Sequence, residues 1–371
     1  MTFTFVAPCY FGVESAAVFD FKRIGAQNIA VTDGRITFTG DEEVLAAANL
    51  WSRCTERIMI LLSSFPAATF DELFDGVSAI PWEDYIPKAG RFPVKGSSLS
   101  STLSSVPACQ SIVKKAVVNR LMRGHRTEFL PERGQEYRIR FSIRKNVAEV
   151  FLDTSGDGLH KRGYRRKAML APLKETLSAA IADFGRIRRD SLMQDPFCGS
   201  GTLVIESAMK ALNIAPGLQR SFAAEHYEFL PKGLFEAARS AARAEAKPDA
   251  AFEGHGFDID PEAVALAEAN AQKAGVGKQC RFSVADAARF SPPSNSIVLT
   301  NPPYGERLLD KQAAAKLSSS FGRALNASPP ASAYIITADD EFEAHFGKKA
   351  QKRRKIYNGM IPCQIYMYWP K

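Results

Sequence analysis

Leu192-Met193-Gln194-Asp195-Pro196-Phe197-Cys198-Gly199-Ser200-Gly201-Thr202 decides the architecture of the second half of this 371-residue chain. A short apolar run ends in an acidic residue, turns through two glycines and opens a helix, expected over Leu203–Leu212. Glycines at such a turn let the chain reverse tightly and let a ligand approach the backbone. Beyond about residue 160, strand-like and helix-like segments alternate. Strands are expected at Ala251–Phe257, Arg281–Val284, Ser296–Thr300 and Ala333–Thr337, and helices at Pro261–Ala274 and near Ala313–Leu325. Such alternation means a mostly parallel sheet covered by helices. Lys355–Tyr357 and Gln364–Trp369 are expected to close it as an antiparallel pair.

The glycine turn does not read as a phosphate loop. Its spacing is not G-x-G-x-x-G, and no lysine follows as in a P-loop. Asp195 at the strand tip would repel a pyrophosphate and suits a cationic amine. The next strand ends in Gly256-Phe257-Asp258-Ile259-Asp260, and an acidic residue there is the usual partner of ribose hydroxyls. Ala285-Asp286-Ala287 follows the third strand, where a carboxylate can accept from an adenine amino group. Any one of these aspartates alone reads as a helix cap or turn former. As an ordered set, followed by Asn301-Pro302-Pro303-Tyr304 at the fourth tip, they describe a site for S-adenosylmethionine. The expected cofactor contacts are Asp195, Pro196, Phe197, Gly199, Gly201, Thr202, Asp258, Ile259, Asp260, Asp286, Ala287 and Asn301.

An apolar strand ending in Asn-Pro-Pro-aromatic can hold a planar amino group. The Asn301 side-chain oxygen and the carbonyl before Pro303 can both accept from an NH2. Two prolines hold the backbone that presents them, and Tyr304 offers a face on which a base or amide can stack. Asn301, Pro302, Pro303 and Tyr304 are therefore the expected catalytic residues, working by positioning and electrostatics rather than by strong base catalysis. Cys198 reads as a small residue on the core side of its turn rather than as a nucleophile.

Residues 1–65 read as strand, helix, strand, strand, helix, strand, the order of a ferredoxin-like unit. Asp33-Gly34 marks its hairpin, and Asp41 caps its second helix. Residues 66–155 form a second α/β module, with a helix from about Phe70 and a strand at Phe92–Lys95. A Ser-rich loop at Gly96–Ser105, a helix at Ala108–Met122 and two strands, Tyr137–Ile143 and Val147–Leu152, complete it. Residues 156–371 form the third domain, with a helical insertion at Asn213–Lys247. Apolar residues make up 46% of the chain, as in a soluble globular protein. No run is long enough to span a membrane, and the N-terminus carries no signal core. The six cysteines are scattered without Cys-x-x-Cys, so neither a disulfide framework nor a metal site is expected, and a cytoplasmic location is.

The net charge is +8, from 48 basic and 40 acidic residues. Basic residues cluster at Arg120–Arg126, Arg138–Lys145, His160–Lys167 and Lys352–Lys355. Each cluster alone reads as a solvated face. Three within the segment 120–167 point to a nucleic-acid surface.

Asp195–Thr202, Phe257–Asp260, Ala285–Ala287 and Asn301–Tyr304 resemble motifs I to IV of Rossmann-type amino-methyltransferases. Leu159–Arg165 with Ala171–Glu175 is similar to the segment preceding motif I in RNA methyltransferases that carry an N-terminal THUMP domain. Asn301–Leu308 resembles a string distinctive of the guanine-N2 methyltransferases of bacterial 23S ribosomal RNA. The resemblance covers nearly the whole chain. It implies an α/β protein whose class I methyltransferase domain, built on a mostly parallel seven-stranded sheet, follows ferredoxin-like and THUMP modules. S-adenosylmethionine would be the cofactor and structured RNA the partner. Lys161, Arg162, Tyr164 and Arg165, between the modules, would contact the RNA backbone.

Asn-Pro-Pro-Tyr also serves adenine N6 in DNA and the glutamine amide of release factors. A DNA enzyme with this motif order usually carries a target-recognition domain after the catalytic region, and only 67 residues follow Tyr304. A glutamine methyltransferase has no need of three basic clusters. RNA is therefore the expected substrate. Adenine N6, or a non-catalytic role in ribosome assembly, are the alternatives.

Overall fold

The structure, a computed structural model, describes residues 1–165, 173–304 and 311–370. Arg166 and Lys167 of the third basic cluster, Ala171 and Pro172, and Gly305–Leu308 lie outside the described residues. Among the described residues no helix is long and apolar enough to cross a membrane.

The N-terminal unit runs β1 (Phe3–Pro8), α1 (Glu14–Arg23), β2 (Gln27–Thr32), β3 (Arg35–Gly40), α2 (Glu42–Trp51) and β4 (Met59–Pro66). Asp41 caps α2 by accepting from the Val44 amide at 3.0 Å. The second unit runs α3 (Phe70–Ser78), β5 (Val94–Leu99), α4 (Val106–Gly124), β6 (Ile139–Arg144) and β7 (Val147–Asp153). Thr69 and Glu72 form a reciprocal capping box at the start of α3. β5 continues through Gly96, Ser97 and Ser98, part of the expected Ser-rich loop, because it pairs in parallel with β6 from Val94 to Leu99. The two units share one sheet, in the order β2-β3-β1-β4-β7-β6-β5. β4 joins them by pairing antiparallel with both β1 and β7.

The third unit comprises α5 (Glu175–Phe184), β8 (Leu192–Asp195), α6 (Thr202–Ala211), α7 (Leu234–Ala244), β9 (Glu253–Asp258), α8 (Pro261–Ala274) and β10 (Cys280–Val284). It continues with β11 (Ile297–Thr300), α9 (Lys311–Ala327), β12 (Ser332–Thr337), α10 (Phe342–Phe346), β13 (Lys352–Asn358) and β14 (Ile361–Tyr368). Its sheet has the order β10-β9-β8-β11-β12-β14-β13. The first five strands in that order are parallel, and β14 is antiparallel to both its neighbours. β8 and β11 are adjacent though far apart in sequence. Strand order reverses between them, and a crevice opens beyond their C-terminal ends.

The insertion between α6 and β9 wedges the units together. The Gly217 amide donates to the Leu50 carbonyl at 2.9 Å, and the Ala224 amide to the Thr154 carbonyl at 3.0 Å. The Tyr227 hydroxyl donates to the Asp153 carbonyl, and its ring stacks on Tyr137 at 4.7 Å. Arg220 donates to the carbonyls of Ser155, Asp157, Gly158 and Lys161.

The segment expected to face RNA is largely part of this seam. Arg162 is 2% exposed and donates to the carbonyls of Leu159, Ser52 and Arg53, with the Glu206 carboxylate 3.5 Å away. Tyr164 is buried, its hydroxyl donating to Glu206 at 3.0 Å. Arg165 donates to the Thr202 hydroxyl at 2.7 Å and lies 3.5 Å from Glu175. Of the four residues only Lys161 is well exposed, beside Asp157. The expected RNA contact is therefore corrected for Arg162 and Tyr164, whose groups cannot reach a phosphate from the interior. The other basic clusters are partly neutralised: Arg120 by Glu83, Arg138 by Glu136, Arg140 by Asp153 and Arg353 by Glu343.

Removing one partner of a buried ion pair strands the other charge at a cost of about 3–5 kcal/mol. Arg162→Ala should lower the unfolding free energy from a denaturant titration by that order, while Lys161→Ala should leave it within about 0.5 kcal/mol of wild type. Equal stability of Arg162→Ala and wild type would refute the seam role.

Candidate active site

Four strand ends meet at the crevice, and each carries one of the expected motifs. β8 delivers Asp195, whose carboxylate is 1% exposed and accepts from the Phe197 amide at 3.1 Å. From β11, the Thr300 hydroxyl donates to the same oxygen at 2.6 Å. Gly201 turns the chain into α6 with φ +80°, and a Cβ there would lie 2.9 Å from Ala267 and 3.0 Å from Phe282. Only glycine fits a left-handed turn this close to its neighbours. The Asn270 amide group holds the turn from α8 by donating to the Ser200 carbonyl at 3.1 Å.

The second strand tip braces the first. The Cys198 amide donates to the Phe257 carbonyl at 2.9 Å, and the Gly199 amide to the Asp258 carboxylate at 2.9 Å. The other Asp258 oxygen accepts from the Asp260 amide at 3.1 Å. Asp260 caps α8 through the Glu262 amide, and Asp286 caps the 3-10 turn Ala287–Arg289 through the Ala288 amide. Each aspartate thus serves local structure and also stands at the crevice. Ile259, between two of them, is 72% exposed, an apolar side chain presented to solvent at the strand tip. At the tips of β8, β9 and β10 a cavity of about 360 Å³ is lined by Pro196, Phe257, Ala285, Asp286, Ala287 and Phe290, among others. Gln194 also lines it, and its buried side-chain nitrogen has no partner among the described residues.

Asn301 follows β11. Its side-chain oxygen is buried without a hydrogen-bond partner among the described residues. A buried acceptor left unmade costs about 1–3 kcal/mol, so a ligand N–H that satisfied it would recover that energy. Pro302 is buried, and Tyr304 is half-buried. The Asn358 amide group donates to the Tyr304 hydroxyl at 3.2 Å. Cys198 is buried, and burial, then the nearby Asp195 and Asp258 carboxylates, push its thiol well above the usual range. That agrees with a packing residue and excludes a ready thiolate.

Thr300, Asn270 and Asn358 support the site but were not among the residues expected to. Thr300 had one available signal, its place between the apolar strand and Asn301. Asn270 and Asn358 had none, because each acts from a distant segment through one side-chain hydrogen bond.

Comparison with known proteins now bears on this geometry. Residues 162–367 match the family described as "RMKL-like, methyltransferase domain". The chain belongs to that family. Residues 4–59 match the RlmL ferredoxin-like domain, and residues 67–153 the THUMP domain. YpsC of Bacillus subtilis (strain 168), whose RNA methyltransferase assignment is itself provisional, is 40% identical over 100% of this chain and 96% of its own length. The ribosomal RNA large subunit methyltransferase K/L of Syntrophotalea carbinolica (strain DSM 2380 / NBRC 103641 / GraBd1) is 34% identical. That match covers 95% of this chain and 52% of the relative, so the chain spans about half the relative's length. A provisionally assigned methyltransferase solved in complex with SAH superposes with a TM-score of 0.94 at 38% identity. It covers 100% of this chain and 98% of its own. A methyltransferase domain behind ferredoxin-like and THUMP modules is therefore present, in accord with the expected S-adenosylmethionine cofactor.

Burial pushes the Asp195 carboxyl up to about 7. Its folded pKa thus exceeds the unfolded value of about 4. The stability this group contributes is fully present below about pH 4 and is lost as pH rises through about 7. The near-isosteric Asp195→Asn should lack that component, read as the difference between the two proteins' denaturation midpoints across this range. A cationic ligand amine needs the ionised form, so affinity for S-adenosylhomocysteine should rise from pH 6 to 8 in the wild type and stay flat in Asp195→Asn. Parallel profiles would refute the assignment.

Proposed function

We propose that this chain transfers the methyl group of S-adenosylmethionine to an exocyclic amine of a base in structured RNA, with guanine N2 of 23S ribosomal RNA as the target. The buried Asn301 oxygen, without a hydrogen-bond partner among the described residues, carries this reading. It is an acceptor in place before any donor arrives, next to a stacking ring and one residue from the Thr300–Asp195 contact. The THUMP match and the K/L relatives support RNA as the substrate, and the Asn301–Leu308 string supports guanine N2.

Bound in the crevice, S-adenosylmethionine supplies a methyl group already activated on a sulfonium. The chain's own residues do the rest. Asp195 faces the amino-acid end, Asp258 and Asp260 the ribose, and Asp286, Ala287 and Ile259 the adenine. Asn301 and the Pro302 carbonyl accept from the two N–H groups of the target amine, which turns its lone pair toward the methyl. Tyr304 stacks on the base and keeps it out of its helix. As the N–C bond forms and the S–C bond breaks, one N–H proton is released to water. No side-chain base is required, because the alkylated amine is strongly acidic until it loses that proton. Lys161 remains the exposed member of the expected RNA-contact group, while Arg165 supports Thr202 in the cofactor turn.

Asn301→Ala should lower methyl transfer at least about 100-fold, the scale for losing one preorganised hydrogen-bonding group, and lower S-adenosylhomocysteine affinity far less. Mass spectrometry of nucleosides from ribosomal RNA of cells with and without the gene identifies the product. Loss of N2-methylguanosine supports the proposal, and loss of N6-methyladenosine would move the target to adenine. An unchanged nucleoside profile, with no transfer by the purified protein, would favour a non-catalytic role.

A further inference from the structure

Phe11 is 45% exposed on a tight turn of the N-terminal unit, an arrangement that core packing does not explain. The turn is docked on β13 of the methyltransferase sheet. Gly12 has φ +90°, and a Cβ there would lie 2.3 Å from the Lys355 carbonyl oxygen, so only glycine permits the approach. The Arg354 guanidinium donates to the Gly12 carbonyl at 2.9 Å and lies 4.3 Å over the Phe184 ring. The Gly12 amide donates to Glu14 at 2.9 Å, whose other oxygen accepts from the Gly34 amide at 3.0 Å. Phe11 is therefore held in place rather than left on a loose loop.

The ring it meets is that of Tyr357, on β13. Phe11 and Tyr357 stand edge to face, with centroids 6.2 Å apart and planes at 78°. The next residue, Asn358, holds the Tyr304 hydroxyl. Met360, at the tip of the hairpin joining β13 to β14, is 93% exposed. Lys355 is exposed, with its ammonium 5.7 Å from the Tyr357 ring. Two units thus gather apolar faces and a cation around Tyr357, one residue along β13 from the residue that holds the Tyr304 hydroxyl.

We propose that Phe11 and Tyr357, bordered by Met360 and Lys355, form a stacking platform for the unpaired RNA bases flanking the methylated nucleotide. This rests on the function proposed above and adds what lies next to the target. Base faces stack on aromatic rings whatever the base, and the phosphate between successive bases meets a cation. A base withdrawn from its helix leaves neighbours with an open face, and the platform covers it. The ferredoxin-like unit thereby takes part in substrate binding through Phe11.

The test uses the full-length protein. Phe11→Ala and Tyr357→Ala should each lower kcat/KM about tenfold on 23S RNA stripped of protein from cells lacking the gene, the scale of one base-ring stack. Phe11→Trp and Tyr357→Phe should retain it. S-adenosylhomocysteine affinity should not move, since neither ring is among the residues expected to hold the cofactor, and stability should fall by no more than the about 0.5–1.5 kcal/mol of one edge-to-face pair. A second arm measures fluorescence anisotropy of a labelled single-stranded oligoribonucleotide of about 12 nucleotides, against its blunt duplex. The alanine variants should weaken single-strand binding and leave duplex binding unchanged. Wild-type kcat/KM and single-strand affinity in both alanine variants would overturn the platform. Ring-dependent binding by a wild type that transfers no methyl would instead sink the proposed function and leave the platform standing.

Discussion

The hydrogen bond from the Thr300 hydroxyl to the Asp195 carboxylate, 2.6 Å long, ties together the two halves of the site. Asp195 begins the turn proposed to hold the methyl donor, and Thr300 precedes the loop proposed to hold the acceptor. The two residues end neighbouring strands, β8 and β11, on either side of the reversal in strand order. A reaction that needs donor carbon and acceptor nitrogen in line depends on their separation, and one short bond between strand tips holds it. The bond also explains why an acid can sit almost fully buried at a strand end. Burial raises its pKa, and the hydroxyl and the Phe197 amide partly offset that. Asp258 plays the matching part on the other flank, where it links the Gly199 amide to the second strand tip.

The N-terminal half depends on a second set of contacts, centred on the seam. Arg162 reaches the carbonyls of Ser52 and Arg53 on one side and the Glu206 carboxylate of α6 on the other. The insertion adds Arg220, Tyr227 and the Gly217 amide. Buried guanidinium donors that meet several carbonyls are directional, so they set orientation as well as affinity. The consequence for RNA recognition is geometric. These contacts fix the THUMP sheet relative to the methyltransferase sheet, so a substrate that touches one is placed relative to the other. Charge contributes less to the surface than the count of basic residues suggests, because many are paired internally.

Much of this was legible in the sequence, for reasons that differ by element. The strand-tip motifs were readable because a parallel sheet puts every ligand-facing residue at a strand's C-terminal end, so order along the chain becomes order in space. The ferredoxin-like order was readable from alternation and from Asp33-Gly34. The continuity of the first sheet was not, since pairing of β4 with β7 joins segments about 90 residues apart. Helix α5 was not assigned either. Residues Glu175 to Ala182 are all buried, so no polar face marks a helical period. Arg162 and Tyr164 were misread as surface because a basic run looks the same whether it meets solvent or a buried carboxylate. Glu206, 44 residues on within an apolar helix, was the unread half of that pair.

Where the fold leaves polar atoms unsatisfied bears on what it is for. Asn301, Gln194, Asn270, Glu175 and Arg165 each have a buried side-chain atom without a partner among the described residues. All five adjoin the donor and acceptor turns: Gln194 and Asn301 flank Asp195 and Thr300 in sequence, Asn270 holds Ser200, and Arg165 reaches Thr202 and Glu175. Seven further such atoms lie on other described residues, so it is the position of Gln194 and Asn301 at the strand tips, and not the number of such atoms, that points to a ligand. The unsatisfied atoms include both donors and acceptors. Gln194 lines the cavity with a free donor and Asn301 holds a free acceptor, so a ligand that carries both an acceptor and an N–H donor would complete these two.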